Sequence, residues 1–419
     1  MRNATSLLSE RNFAFLFFGR CVSFLGNAMA PVALAFAVLH LTDSASALGI
    51  VLASRMVPNV IFLAFGGVIA DRLPRNVVLV GSNLVAGGSQ AVAAFLLISG
   101  TAEIWHLAVL EAVNGAAFAI FYPADTAVVP QTVSEDRIQS ANAFLRLGTN
   151  LTMIGGAAVA GASVAAFNPG WTIALDAATF LVAAALMSQM RGIRAAAEAG
   201  SSIIADLRDG WSEFIAHRWL WTIVVQFTIM LIGFFGAFMV LGPLVAERDF
   251  SGAQSWAAVL AGQSIGLMAG GFVALKWRPE RPILMATFAV FGNALPIAAL
   301  ALGAPLPIVV AAALANGVGM ELFGVFWYTA LHEHVAPEAL SRVSAYDALG
   351  SVALSPLGLV AAGPLADAIG IDATLWLGVA LVVVPTALVL LVPEVRSLRA
   401  KHLPLDAVPA PPFGAPAEP

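Results

Sequence analysis

The chain has 419 residues, 60% of them hydrophobic and 11% charged, and a net charge of −5. Soluble domains carry roughly 25% charged residues, so this composition excludes a water-soluble globule and requires lipid as the solvent. The single cysteine, Cys21, excludes an intramolecular disulfide and a cysteine metal cage, and no basic cluster marks a nucleic-acid partner.

A membrane-crossing helix needs about 20 mostly apolar residues. Twelve such runs follow one another, roughly at 12–40, 46–70, 77–99, 104–129, 141–167, 170–190, 218–246, 252–276, 283–303, 305–331, 344–369 and 372–392. Strand-type alternation is missing and Ala, Leu and Gly dominate, which predicts helices rather than barrel strands. The first run exceeds a signal-peptide core and holds Arg20, so it reads as a retained span.

Charges inside spans cost on the order of 2.5–3.5 kcal/mol and are paired or line a cavity. Depth follows from a rise of about 1.5 Å per residue. Arg55 in span two lies about nine residues below the outer surface and Glu111 in span four about seven, so the two can meet. Asp125, about four residues from the inner end of span four, faces Arg146, about five residues into span five; the hairpin between these spans predicts a pair. Asp176 sits shallowly on span six and reads as an interfacial cap. Arg20 and Glu321, in spans one and ten, share a depth of about eight or nine residues from the inside. Gly262, Gly266 and Gly270 recur every four residues in span eight, a helix-packing pattern. The "HEH" at 332–334 lacks the spacing that puts two histidines on one helix face and reads as a polar helix end. No Walker loop is present, and no nucleophile–base pair or metal-ligand set lies in the spans; neither enzymatic activity nor a cofactor is expected.

The chain reads as built twice. Asn114-Gly115 in span four recurs as Asn316-Gly317 in span ten, and Asp136 recurs as Glu338, each at the same offset; Gly67 answers Gly271 at nearly that offset. The predicted organisation is an N-terminal six-helix half at 1–190, a cytoplasmic linker at 191–217, a C-terminal six-helix half at 218–395 and a disordered cytoplasmic tail at 396–419. In the linker Ile204, Leu207, Trp211, Phe214 and Ile215 share one helical face, suited to the membrane surface or the underside of the protein. Sixteen of the 20 Lys and Arg residues fall on one side of the membrane, with Arg248 on the other and Arg20, Arg55 and Arg146 within spans. By the positive-inside rule both termini are cytoplasmic.

The turn between spans two and three, "GVIADRLPRN", resembles the G-x-x-x-D-R-x-G-R-(R/K) signature of the major facilitator superfamily. Gly67, Asp71, Arg72 and Arg75 match; Pro74 replaces a glycine and Asn76 the last basic residue. The resemblance implies an all-α fold of twelve spanning helices in two parallel six-helix halves. It also implies that the turn is a gate: Asp71 accepts hydrogen bonds from the positive N-terminal end of span eleven, near Ser344, while Arg72 and Arg75 bridge to carboxylates and lipid phosphates. The stretches "FYPADTAVVPQTVSEDRIQSANAF", "LDAATFLVAAAL" and "DLRDGWSEFIAHRWLW" are similar to bacterial exporters grouped with the enterobactin exporter and macrolide efflux proteins. "LAVLEAVNGAA" resembles the family's span-four motif, with Glu111 where many proton-coupled exporters carry arginine.

These readings converge on a monomeric secondary transporter of the bacterial inner membrane. It would export a small organic molecule, a drug or a metabolite such as a siderophore, in exchange for protons. An importer of the same fold and a transport-inactive scaffold or sensor are the alternatives. Glu321, Glu111, Arg20, Arg55, Asn114 and Asn316 are candidates for the proton and substrate site, with Asp125 and Arg146 as a second charge pair. Phe24, Met29, Phe234, Phe235, Met239, Phe323 and Trp327 would suit an amphipathic substrate or serve as packing. Reporter fusions at Gly100 and Gly303 are expected to report the outside and one at Gly200 the inside; a periplasmic signal at Gly200 would overturn the two-half reading.

Overall fold

The computed structural model describes residues 7–134, 137–193 and 211–401; the side chains of 63–72, 337, 338, 341, 342 and 345 are outside that description. Among the described residues there are helices and no strands, and twelve helices are long and apolar enough to cross a membrane. They are α1 (Arg11–Thr42), α2 (Ala45–Arg72), α3 (Arg75–Ser99), α4 (Ile104–Gln131), α5 (Ile138–Ala166) and α6 (Pro169–Met187), then α7 (Arg218–Asp249), α8 (Ala253–Lys276), α9 (Pro282–Ala301), α10 (Leu306–His334), α11 (Tyr346–Ile369) and α12 (Ile371–Val389). A short α13 (Pro393–Ser397) follows.

The helix ends follow from local chemistry. Ser44 accepts from the Ala47 amide to start α2, and Asn168 accepts from the Trp171 amide ahead of Pro169 in α6. Gly100, at φ 72°, ends α3 in the left-handed conformation that glycine adopts without strain. The helix feeding α11 begins at Pro337, well before the apolar run, and is interrupted at Ala353 and Leu354. Pro356, which lacks an amide proton, sits in the first turn after the break. In α7 a π-turn spans Phe235–Val240.

Large apolar side chains lie on the outside as well as in the core. Phe95, Leu302 and Phe272 are 69%, 71% and 64% exposed, whereas Gln90, Glu111, Asn114, Asp125, Asp176 and Asn316 are buried. Lipid solvates the apolar outside, and the polar groups find their partners inside.

The described residues fall into two compact units, 7–193 with 251–261, and 211–250 with 262–401. In the first, α1 packs on α5 and α6, α3 on α4 and α6, and α2 on α4. In the second, α7 packs on α12, and α9 on α10 and α12. Phe214, next to the linker, is buried and stacks among Trp211 and Tyr346, so its side of this short helix covers protein, while Trp211 and Ile215 are half-exposed. Residues 194–210 of the linker and the tail beyond 401 lie outside the described residues.

Close helix contacts use glycine at matching places. A Cβ on Gly115 of α4 would lie 1.9 Å from the Arg55 carbonyl oxygen of α2, and one on Gly317 of α10 would lie 2.0 Å from the Gln263 carbonyl oxygen of α8. Gly262, Gly266 and Gly270 likewise abut the carbonyls of Val310, Leu314 and Val318, so this stripe is a packing seam. Gly115→Ala and Gly317→Ala should each destabilise by about 1–3 kcal/mol or more, through overpacking. Gly88→Ala, with open space around its Cβ, should be neutral. Thermal unfolding of the purified protein in detergent checks this; equal melting temperatures for all three would refute it.

Candidate functional site

The Gly115 contact brings α2 and α4 together at the level of Arg55. That proximity builds a polar cluster inside an apolar bundle. Arg55 Nη2 donates to Asn27 Oδ1 at 2.7 Å, and Arg55 Nη1 meets Glu111 Oε2 at 3.5 Å. Gln90 Nε2 donates to the other oxygen, Glu111 Oε1, at 3.0 Å. Asn27 in turn donates to the Ser23 carbonyl at 3.2 Å. Four helices thus contribute one polar group each, and Glu111, 2% exposed, has both oxygens engaged. The depth-matched pair read from the sequence, Arg55 and Glu111, does come together; Asn27 and Gln90 were not foreseen. A polar residue in the middle of an apolar run was the signal available for both.

A small cleft opens beside the cluster, lined by Ser23, Asn27, Asn83, Asn114 and Phe118, among others. Ser23 Oγ donates to Asn83 Oδ1 at 3.0 Å, which occupies both. Asn114 is 1% exposed, and its Nδ2 has no hydrogen-bond partner. It is an unused donor at the wall of a cleft, where burial without a partner is costly.

The second unit has a corresponding layer without charge. Gln263 Nε2 donates to Asn316 Oδ1 at 2.7 Å, and Asn316 Nδ2 donates to Asn293 Oδ1 at 2.9 Å. Gln263 stands where Arg55 stands in the first unit, each offering its carbonyl to a glycine. Glu321 lies farther along α10, partly buried, with its Cβ 2.9 Å from where a Gly270 Cβ would be. Phe227, Phe323 and Trp327 form a parallel ring stack at 4.7 and 5.8 Å, and Trp327 Nε1 donates to Asp347 Oδ2 at 2.8 Å. Met29, Phe234, Phe323 and Trp327 are buried in packing.

Two sequence readings need correction. Asp125 does not pair with Arg146; it meets Arg20 of α1, Nη1 to Oδ2, at 2.9 Å, and Arg146 is exposed. Depth along a helix says nothing about azimuth, and Arg146 is exposed where Asp125 is fully buried. Arg20 also lies over the Phe24 ring, with Cζ 5.4 Å from its centroid. Arg20 is therefore held by Asp125. Asp176 is not an interfacial cap: it is 0% exposed, and neither carboxyl oxygen has a hydrogen-bond partner.

Of the turn motif, Arg75 is described: its Nη1 donates to the Ala127 carbonyl, tying the start of α3 to the end of α4. The side chains of Gly67, Asp71 and Arg72 lie outside the described residues. His332 and His334 bond backbone carbonyls one turn back, and no metal-holding cluster occurs among the described residues.

Twelve helices apolar enough to cross a membrane, with buried, hydrogen-bonded charges inside the first unit, mark a multi-pass membrane protein of the transporter class. The chain belongs to the Major Facilitator Superfamily, whose family model matches residues 16–346. It is 23% identical over 86% of its length to an uncharacterized MFS-type transporter of Bacillus subtilis (strain 168), covering 87% of that protein. It is 22% identical to macrolide efflux protein A of Streptococcus pyogenes, over 93% of this chain and 98% of the other. With the multidrug efflux pump Tap of Mycobacterium tuberculosis it shares 26% identity, over 93% and 96%. Crystal structures of the nucleoside transporter NupG (TM-score 0.71, 14% identity, 92% and 100% coverage) and of an auto-inhibited POT family peptide transporter (TM-score 0.71, 10% identity, 94% and 99% coverage) share its fold.

Removing one partner of a buried ion pair strands the other and costs about 3–5 kcal/mol. Arg20→Met should therefore destabilise strongly, Arg146→Met hardly at all, and Arg20→Met with Asp125→Leu should recover part of the loss. Thermal unfolding in detergent measures all three; equal losses for Arg20→Met and Arg146→Met would contradict the pairing.

Proposed function

We propose that the protein exports small organic molecules from the cytoplasm in exchange for protons. The observation that carries this is the Asn27–Arg55–Glu111–Gln90 cluster, a charged, hydrogen-bonded site sunk among membrane helices, in a chain similar end to end to efflux proteins. Ionisable groups at that depth are retained for pathways and relays more readily than for stability. Asn114, with a free donor at the cleft, is the substrate contact in this reading.

The two halves, 1–190 and 218–395, alternate about the linker 191–217, in a monomer of the bacterial inner membrane with both termini cytoplasmic. Asp71, Arg72 and Arg75, with Gly67 behind them, latch the cytoplasmic side. A carboxylate that takes up and releases a proton needs surroundings that change during transport. Glu321 is partly exposed whereas Glu111 is 2% exposed, so Glu321 is the better coupling residue of the two.

The test is expression in a drug-sensitive bacterial host, with growth and accumulation measured for a panel including erythromycin and ethidium, with and without a protonophore. Raised tolerance that the protonophore abolishes is expected. Asp71→Asn and Glu321→Gln should lose export at normal expression, whereas Glu111→Gln should mainly lower expression by stranding Arg55. Uptake of panel compounds instead of extrusion would favour an importer, and no change for any compound would favour a scaffold or sensor.

A further inference from the structure

Asp176 is the most anomalous side chain in the first unit. It lies seven residues past the start of α6, as Glu111 does in α4, and is 0% exposed, with no hydrogen bond to either carboxyl oxygen. An ionised carboxylate in such a place would forfeit its hydration and gain nothing in return. The neighbouring Thr179 does not relieve this. Its hydroxyl has a single proton, which it donates to the Asp176 backbone carbonyl at 2.7 Å. Both groups press on Gly26 of α1: a Cβ there would lie 2.2 Å from Asp176 Oδ1 and 2.0 Å from Thr179 Oγ1. A carboxylic acid, which has an O–H to donate, fits these surroundings; a carboxylate, which can only accept, does not.

Charged groups on the helices around α6 are few. On α1, Arg11 and His40 are at the ends and Arg20 is held by Asp125. On α3 the charged residue is Arg75, at its start. Arg146 of α5 is exposed. Arg55 and Glu111 remain: Asp176 meets α1 at Gly26, next to Asn27, which accepts from Arg55. The Arg55–Glu111 contact is long, at 3.5 Å, and Arg55 keeps 22% of its side chain exposed. One guanidinium thus has two carboxyl groups within its field.

We propose that Asp176 is a proton-binding residue of this transporter. It carries the proton while Arg55 pairs with Glu111 and releases it to water when the guanidinium is shared between the two carboxyl groups. With Arg55 and Glu111 ionised and Asp176 protonated the cluster is neutral; departure of the proton leaves one net negative charge, and no further reactant is needed. This rests on the proton-exchange reading above and adds a site to it.

Two measurements test it on the full-length protein. The first uses wild-type protein in detergent and dicyclohexylcarbodiimide, an apolar reagent that modifies protonated carboxyl groups. Mass spectrometry should find an adduct on the Asp176 peptide near neutral pH that fades in alkali; its absence at every pH overturns the proposal. The second measures proton-driven extrusion of ethidium and erythromycin from vesicles, alongside exchange of labelled for unlabelled compound without a pH gradient. Asp176→Asn should lose the first and keep the second, and Asp176→Glu should restore part of the extrusion. Full proton-driven extrusion by Asp176→Asn would make Asp176 a structural acid and overturn the proposal. If wild-type extrusion ignores the protonophore, the exchange reading fails instead, and the carbodiimide adduct still decides whether Asp176 holds a proton.

Discussion

Helices α2 and α4 meet backbone to backbone where Gly115 faces the Arg55 carbonyl, and the polar interior of the first unit depends on that approach. Lipid cannot satisfy a buried guanidinium or carboxylate, so each must find its partner within the protein. Without a Cβ at position 115, Arg55 and Glu111 come within reach, and Asn27 and Gln90 complete the set from α1 and α3. A larger residue would separate the helices and leave several polar groups unmatched at once. The apolar exterior tolerates substitution far better, since any aliphatic side chain suits lipid.

The second unit repeats the contact with different chemistry. Gly317 faces the Gln263 carbonyl, and an amide chain of Gln263, Asn316 and Asn293 occupies the layer that holds Arg55, Glu111 and Gln90 in the first. Neutral amides hold helices in register without the desolvation cost of an ion pair. The uncharged layer therefore carries a smaller desolvation cost than the charged one. The shared geometry and divergent charge explain why the Asn-Gly pairs are recognisable in the sequence while the residues around them are not.

The transmembrane architecture was legible because it rests on one-dimensional properties. Run length and hydropathy predict twelve spans, and the helices match them closely, apart from the early start and the interruption of the helix leading into α11. The glycine stripe of α8 was readable as packing because a four-residue period places its members on one face. Arg55 and Glu111 could be matched by depth, which counting residues supplies.

Depth without azimuth gave the wrong partner for Asp125: Arg146 is near enough along its helix but exposed, and Arg20 takes its place. The same limit hid Asp176, whose side chain points between helices against Gly26. The sequence by itself determined solvent, span number, family resemblance and the candidate charges, because each follows from composition or spacing along the chain. Which charge meets which, and which carboxyl is left without a partner, was decided only by tertiary structure, because the rotation of each helix is set by packing against its neighbours.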